Sequence, residues 1–211
     1  MENQSAQKNI QHEVHNSLPL VEYINQMYPL KEEIRQFIMQ NTYFKKLPKG
    51  KFLLKPGEIC GHYYYIHKGI LRSYIKYGVK EITIWINPEN EITTSIRSMS
   101  NNMPSDEYIQ AVEACELVVI PFEVMQQVYE KFPEMNMVGR VLLEHYYAAS
   151  EERVFICRIP DAKSRYRHFV ETRQELANRI PLKHVASYLG ITLETLSRLR
   201  AKNASRPVKI T

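Results

Sequence analysis

Glu194 and Arg198 stand four residues apart in the stretch from Pro181 to Lys202. Both side chains are suited to reading the edge of a base. Arginine presents a planar fork of donors that fits guanine, and glutamate accepts from the amino group of cytosine. Lys183, Thr192, Leu193, Thr195, Ser197 and Lys202 surround them, a set that can bond phosphates and touch a thymine methyl. Two short helices would position these groups. Val185, Ala186 and Leu189 recur at helical spacing, and Gly190 supplies a tight turn. Thr192 suits the cap of a second helix, and Glu194 adds an acid to its first turn. Leu196 and Leu199 would face inward, leaving Leu193, Glu194, Ser197, Arg198 and Lys202 outside. Ala186 is small where the helices would cross. The pattern predicts a helix-turn-helix whose partner is double-stranded DNA, against the plainer reading of a helical hairpin that only packs.

Charge separates the two readings. Residues 161–211 hold 11 Lys and Arg against 4 Asp and Glu, a net +7, whereas the preceding 160 residues hold 17 against 19, a net −2. A basic C-terminal piece on a near-neutral body is the footprint of a nucleic-acid module joined to something else.

At 211 residues the chain has room for one ordinary domain and a smaller one, and 44% hydrophobic residues suffice for a packed core. It contains no apolar run of membrane-spanning length and no secretory signal at its start. Cys60, Cys115 and Cys157 are scattered and odd in number, with neither metal-site nor disulfide spacing. They are expected to be buried or half-buried small hydrophobes in a reduced, cytoplasmic protein. No Gly-rich phosphate loop, paired-His metal motif or nucleophile elbow is present, so no catalytic residues, metal or cofactor are expected.

Residues 1 to 17 are polar and are expected to be disordered. Helical periodicity runs from Leu20 to about Thr42, broken at Pro29. Short strands then follow at Lys51–Leu54, Tyr63–His67, Ile70–Ile75, Glu81–Ile86, Tyr108–Val112 and Leu117–Ile120, punctuated by Gly and Pro turns. Many short strands without intervening helices indicate a barrel, sandwich or roll. From Phe122 the helical period returns, first to Phe132 and then from about Glu134 to Ile156. The second of these has two apolar faces, so it needs two partners, the β domain and a second copy of the chain. The series Val138, Leu142, His145, Ala149 is the side offered to that copy, although it runs on to Glu152 and is not a regular coiled coil. Pro160 marks a hinge, and Ser164 to Thr172 forms the next helix.

This order resembles the cyclic-AMP receptor protein and fumarate–nitrate regulator (Crp/Fnr) superfamily of transcription factors, from about Leu20 to Lys202. Lys49 to Glu58, Tyr65 to Arg72, Pro88 to Glu91 and Ile180 to Arg200 look like its Bacteroidetes-type members. The resemblance implies an α+β chain. An N-terminal jelly-roll (double-stranded β-helix) of the cyclic-nucleotide-binding type would span residues 18–133, a dimerisation helix and hinge 134–159, and a winged helix-turn-helix 160–211. It also implies a cytoplasmic homodimer on a near-palindromic operator, contacts with RNA polymerase, and a small-molecule effector in the roll. The family's recognition helix commonly reads Ser-Arg-Glu-Thr with a later Arg. Here Glu194 and Arg198 match, whereas Leu193 replaces the first Arg, so a different operator is expected.

Family members that bind cyclic nucleotides hold the phosphate with Gly-Glu and Arg-Ser. The corresponding positions here are Thr94-Ser95 and Ser105-Asp106. A carboxylate where phosphate should sit is repulsive, and Arg97 is the nearest replacement cation, so cyclic AMP is not the expected effector. Tyr74, Ile84 and Trp85 would complete the pocket around Thr94, Ser95, Arg97, Ser105 and Asp106, or simply fill the core. The alternative function is a cyclic-nucleotide-binding signalling module that does not regulate genes directly.

Overall fold

The structure is a computed structural model that describes residues 17–204. The expected disorder of the N-terminus falls almost wholly outside those residues. Two helices open the fold, α1 (Leu18–Met27) and α2 (Glu32–Asn41). The segment between them contains Pro29, which cannot continue a helix. Glu32 and Glu33 place negative charge at the start of α2, where the helix dipole favours it. Eight strands follow: β1 (Tyr43–Leu47), β2 (Phe52–Leu54), β3 (His62–Lys68), β4 (Leu71–Tyr77), β5 (Lys80–Asn87), β6 (Ile92–Thr93), β7 (Tyr108–Ala111) and β8 (Cys115–Pro121). A short helix, α3 (Ile96–Asn101), separates β6 from β7. It departs from the expectation of strands without helices between them.

The strands form two four-stranded sheets, ordered β1-β8-β3-β6 and β2-β7-β4-β5. Leu47, Ile66, Cys115 and Leu117 of the first sheet pack with Leu54, Leu71, Ile109 and Ala111 of the second, so one core lies between them. The first sheet's other face carries Tyr65, Val118 and Ile120, which pack on Leu20, Val21, Ile24, Ile34 and Ile38 of α1 and α2. β8 is therefore buried on both faces, which explains its continuous Leu-Val-Val-Ile run.

Helix α4 (Phe122–Lys131) stops before Pro133, and α5 (Met135–Arg158) extends for 24 residues, about 36 Å. Gly139 lets the two helices approach, because a Cβ there would lie 2.7 Å from Tyr129 Oη. The exposed and buried sides of α5 correct one expectation. Val138 is buried, and Leu142 packs against the same core as α1 and α2. Ala149 is half-buried and His145 exposed, so the series expected to meet a second copy largely faces its own chain. The apolar residues left exposed are Met137, Val141, Leu143, Tyr147, Val154 and Phe155. A long helix with two apolar faces does not say which face the remainder of the chain will cover. Cys157 is exposed, contrary to expectation, whereas Cys60 and Cys115 are buried.

Helices α6 (Ala162–Thr172), α7 (Gln174–Arg179), α8 (Leu182–Leu189) and α9 (Leu193–Ala204) complete the described chain. Asp161 caps α6 by accepting from Ser164 N at 2.8 Å. Among the described residues no strand follows β8. A wing after α9 would fall on residues 205–211, outside those described. The described residues form two compact units, one of residues 17–73 and 86–143, the other of residues 74–85 and 144–204. The outer parts of β4 and β5 therefore group with helices α6 to α9. No described helix is long and apolar enough to cross a membrane.

Candidate nucleic-acid interface and effector cleft

Helices α8 and α9 pack on each other and on α6. Val185, Ala186, Tyr188 and Leu189 of α8, Leu196 of α9, and Tyr166 and Phe169 of α6 are buried. Between α8 and α9, Gly190 takes the left-handed conformation (φ 63°, ψ 37°) that a side chain disfavours. Its N–H donates to the Ser187 carbonyl, and Ile191 N–H donates to that of Ala186, closing the turn. Thr192 caps α9, its Oγ1 accepting from Thr195 N at 3.2 Å. That oxygen also donates to Thr195 Oγ1 at 3.1 Å, so the hydroxyl is engaged within the turn.

The remaining residues of α9 divide as the sequence pattern requires. Leu196 is fully buried and Leu199 half-buried, while Leu193, Glu194, Ser197, Arg198 and Lys202 are exposed. Lys183 and Thr192 are exposed as well, and Thr195 is half-buried. The Glu194 carboxyl is held below its ordinary pKa, first by its own backbone N–H and the Thr192 hydroxyl, then by Arg198. It is therefore an acceptor at neutral pH. Arg198 lies one helical turn further along the same face, so a donor fork and an acceptor are presented side by side.

The proposed effector residues gather only in part. Thr94 Oγ1 donates to the His62 carbonyl at 2.9 Å. Ser95 and Ser105 are buried and share a hydrogen bond at 3.2 Å, and Ser105 Oγ also accepts from Glu107 N. The Ser105 backbone is bonded on both sides, to Gly57 N and to the Glu58 carbonyl. Arg97 and Asp106 are exposed and face each other at 3.5 Å. Ser95 with Ser105 and Arg97 with Asp106 thus pair around α3, whereas the Thr94 hydroxyl turns to His62 and Cys60. Tyr74, Ile84 and Trp85 belong to the other unit. There the Ile84 carbonyl accepts from Arg153 Nη1, and the Arg153 guanidinium stacks 4.4 Å from the centre of the Trp85 ring.

Residues 44–132 match the family described as the cyclic nucleotide-binding domain. The anaerobic regulatory protein of Haemophilus influenzae is 24% identical over 169 residues, covering 74% of this chain and 64% of its own length. The fumarate and nitrate reduction regulatory protein of Escherichia coli is 24% identical over 168 residues, covering 74% and 66%. The chain is similar to these regulators over about three quarters of its length. Solved structures share the fold. A Crp/Fnr-family regulator from Eubacterium rectale superposes with a TM-score of 0.67 at 18% identity, over 90% of this chain and 91% of its own. FixK2 from Bradyrhizobium japonicum gives 0.69 at 12%, over 81% and 89%. The chain spans 60–64% of the length of the anaerobic regulatory proteins it matches.

Several groups in this chain carried no signal in the sequence. Ser187 of α8 accepts from Thr83 N at 2.9 Å and donates to the Glu81 carbonyl at 2.7 Å, tying the helix-turn-helix to strand β5. A serine on the polar side of an amphipathic helix reads as solvent-facing, and only the fold brings β5 to it. Glu152 and His168 pair through Oε1 and Nε2, joining α5 to α6. Arg72 is almost wholly buried and donates to Gln110 Oε1 at 3.3 Å, although one basic residue in a strand usually marks an exposed position.

Proposed function

We propose that the chain is a sequence-specific DNA-binding regulator of transcription that acts as a cytoplasmic homodimer. The exposed row on α9 carries this reading. Leu196 anchors the helix, and Glu194 and Arg198 stand outward from a capped, glycine-turned pair. A helix presented this way fits the major groove, with Arg198 and Glu194 on base edges and Lys183, Ser197 and Lys202 near phosphates. Thr192 contributes through its cap, since its hydroxyl is engaged there. Leu193, at 43% exposure, offers apolar contact to a thymine methyl. A second copy would pack on the exposed apolar side of α5, around Tyr147, Val154 and Phe155.

The effector reading follows from the closed cassette. A nucleotide phosphate needs unpaired donors and a cation. Here the serine hydroxyls bond each other, and the charge of Arg97 faces Asp106. Cyclic AMP is therefore not the effector of this chain, and any effector is of another chemistry. Titration of fluorescent duplexes with the full chain at two salt concentrations tests the DNA reading. The expected result is binding that weakens steeply with salt and favours one sequence. A chain that binds no duplex but takes up cyclic AMP at micromolar concentration would support a signalling module instead.

A further inference from the structure

We propose that Arg165 of α6 is a phosphodiester anchor at the turn of the helix-turn-helix, an inference that rests on the DNA-binding reading. Arg165 lies in the first turn of α6, its backbone N–H donating to the carbonyl of Asp161, the residue whose side chain caps the helix. Its Nε is buried and has no hydrogen-bond partner among the described residues. Its Nη1 reaches across to the turn, 3.6 Å from where a Cβ on Gly190 would lie. A guanidinium stays charged at any physiological pH, and desolvating one of its donors without an acceptor is unfavourable. The packing nevertheless holds the group against the turn, with no internal acceptor for that donor. Nε itself is shielded from any outside group, but the Nη1 end of the same guanidinium, beside the exposed turn, can take an acceptor from outside.

The surroundings specify which kind. Gly190 is exposed and has no side chain, so the route from Nη1 to the surface of the turn stays open. Consecutive Cα atoms are about 3.8 Å apart, so the cap of α9 at Thr192 lies within about 8 Å of Gly190. The guanidinium therefore stands at the end of α9 that leads into the groove, where the DNA backbone passes beside a helix-turn-helix. It belongs to α6 rather than to the outward row of Glu194 and Arg198 on α9, so it would meet phosphate and not base edges. A phosphate oxygen there would take charge-assisted bonds from Arg165 that nothing in the described chain supplies.

The test uses the full chain, a duplex selected from a random pool and a scrambled duplex. Fluorescence anisotropy is measured across a salt series. Arg165→Ala should weaken binding to both duplexes equally, by about 5- to 10-fold, and lower the slope of log affinity against log salt by about 0.9 per subunit. The thermal midpoint without DNA should stay at the wild-type value, and Arg165→Lys should keep the wild-type slope. An unchanged slope in Arg165→Ala overturns the inference, as does a lowered midpoint or a loss confined to the selected duplex. Failure of the wild-type chain to bind either duplex removes the DNA-binding reading itself, a different outcome from wild-type binding that is indifferent to Arg165.

Discussion

Replacing Ser187 with Ala should release strand β5 from the helix-turn-helix. β5 is the last strand of its sheet, so one side of its backbone needs partners other than a neighbouring strand. Ser187 supplies two, as acceptor from Thr83 N and donor to the Glu81 carbonyl. Their loss is unequal. Glu81 is exposed, so water replaces the serine there at little cost. Thr83 is 5% exposed, so its N–H would be left unpaired in a buried place, at about 1–3 kcal/mol. Because the chain forms two compact units, a single melting curve is a poor measure of that cost. Amide hydrogen exchange at Thr83 reports it directly, and the same range corresponds to exchange roughly 5- to 150-fold faster. Arg153 should still hold the Ile84 carbonyl, limiting the change to the middle of β5. Thr83→Val provides the opposite sign. Its hydroxyl is buried without a partner among the described residues, so removing it should leave exchange unchanged or slower. Equal exchange in wild type and Ser187→Ala would mean that the serine does not hold the strand in solution.

Other outcomes follow from the same geometry. Gly69→Ala should destabilise the roll by about 2–5 kcal/mol in urea unfolding, since φ is 97° and the new Cβ would lie 2.6 Å from the Ala114 carbonyl oxygen. Gly78→Ala, also left-handed but in open space, should cost only about 1–2 kcal/mol, and equal costs would refute the clash. Burial raises the Tyr63 and Tyr65 hydroxyls to about 12 and Tyr64 further still. The folded chain therefore keeps these protons when the unfolded chain has lost them. The stabilisation is full below pH 10 and disappears as pH rises from 10 toward 12 and beyond. Tyrosinate absorbance at these residues should appear together with unfolding, and titration in a still-folded chain would contradict it. Tyr147→Asp combined with Phe155→Asp should convert a dimer to a monomer in sedimentation equilibrium. A wild-type chain already monomeric, or variants that stay dimeric, would rule out that face of α5.

The outline of the fold was legible wherever spacing and turn residues agreed. The α8–Gly190–α9 pair is the clearest case, because apolar spacing, a glycine and a capping threonine all point to the same local structure. Strand β1 was not foreseen, since Lys45 and Lys46 stand side by side and break the alternation; its register with Glu116 and Leu117 of β8 makes it a strand. The two residues of β6 and the six of α3 are too short to leave a periodic signal. On α5 the pattern disclosed two apolar faces but not their assignment, which depends on where the core around α1 and α2 lies. Ser187, Arg153 and Arg165 matter through residues about 25 to 105 positions away, and no local pattern encodes such a meeting.

The contrast between Arg198→Ala and Lys202→Ala tests the DNA-reading claim most directly. Both side chains are exposed on α9, but only Arg198 shares a helical turn with Glu194. Affinities would be measured on a selected duplex, its single-base variants and a scrambled duplex, at several salt concentrations. Arg198→Ala should lose about 1–3 kcal/mol on the selected duplex and relax preference at one base pair in each half-site. Lys202→Ala should weaken all duplexes alike and reduce the salt slope by about one per subunit. If Arg198→Ala lowers affinity for every duplex equally and leaves base preference intact, α9 is not the reading helix.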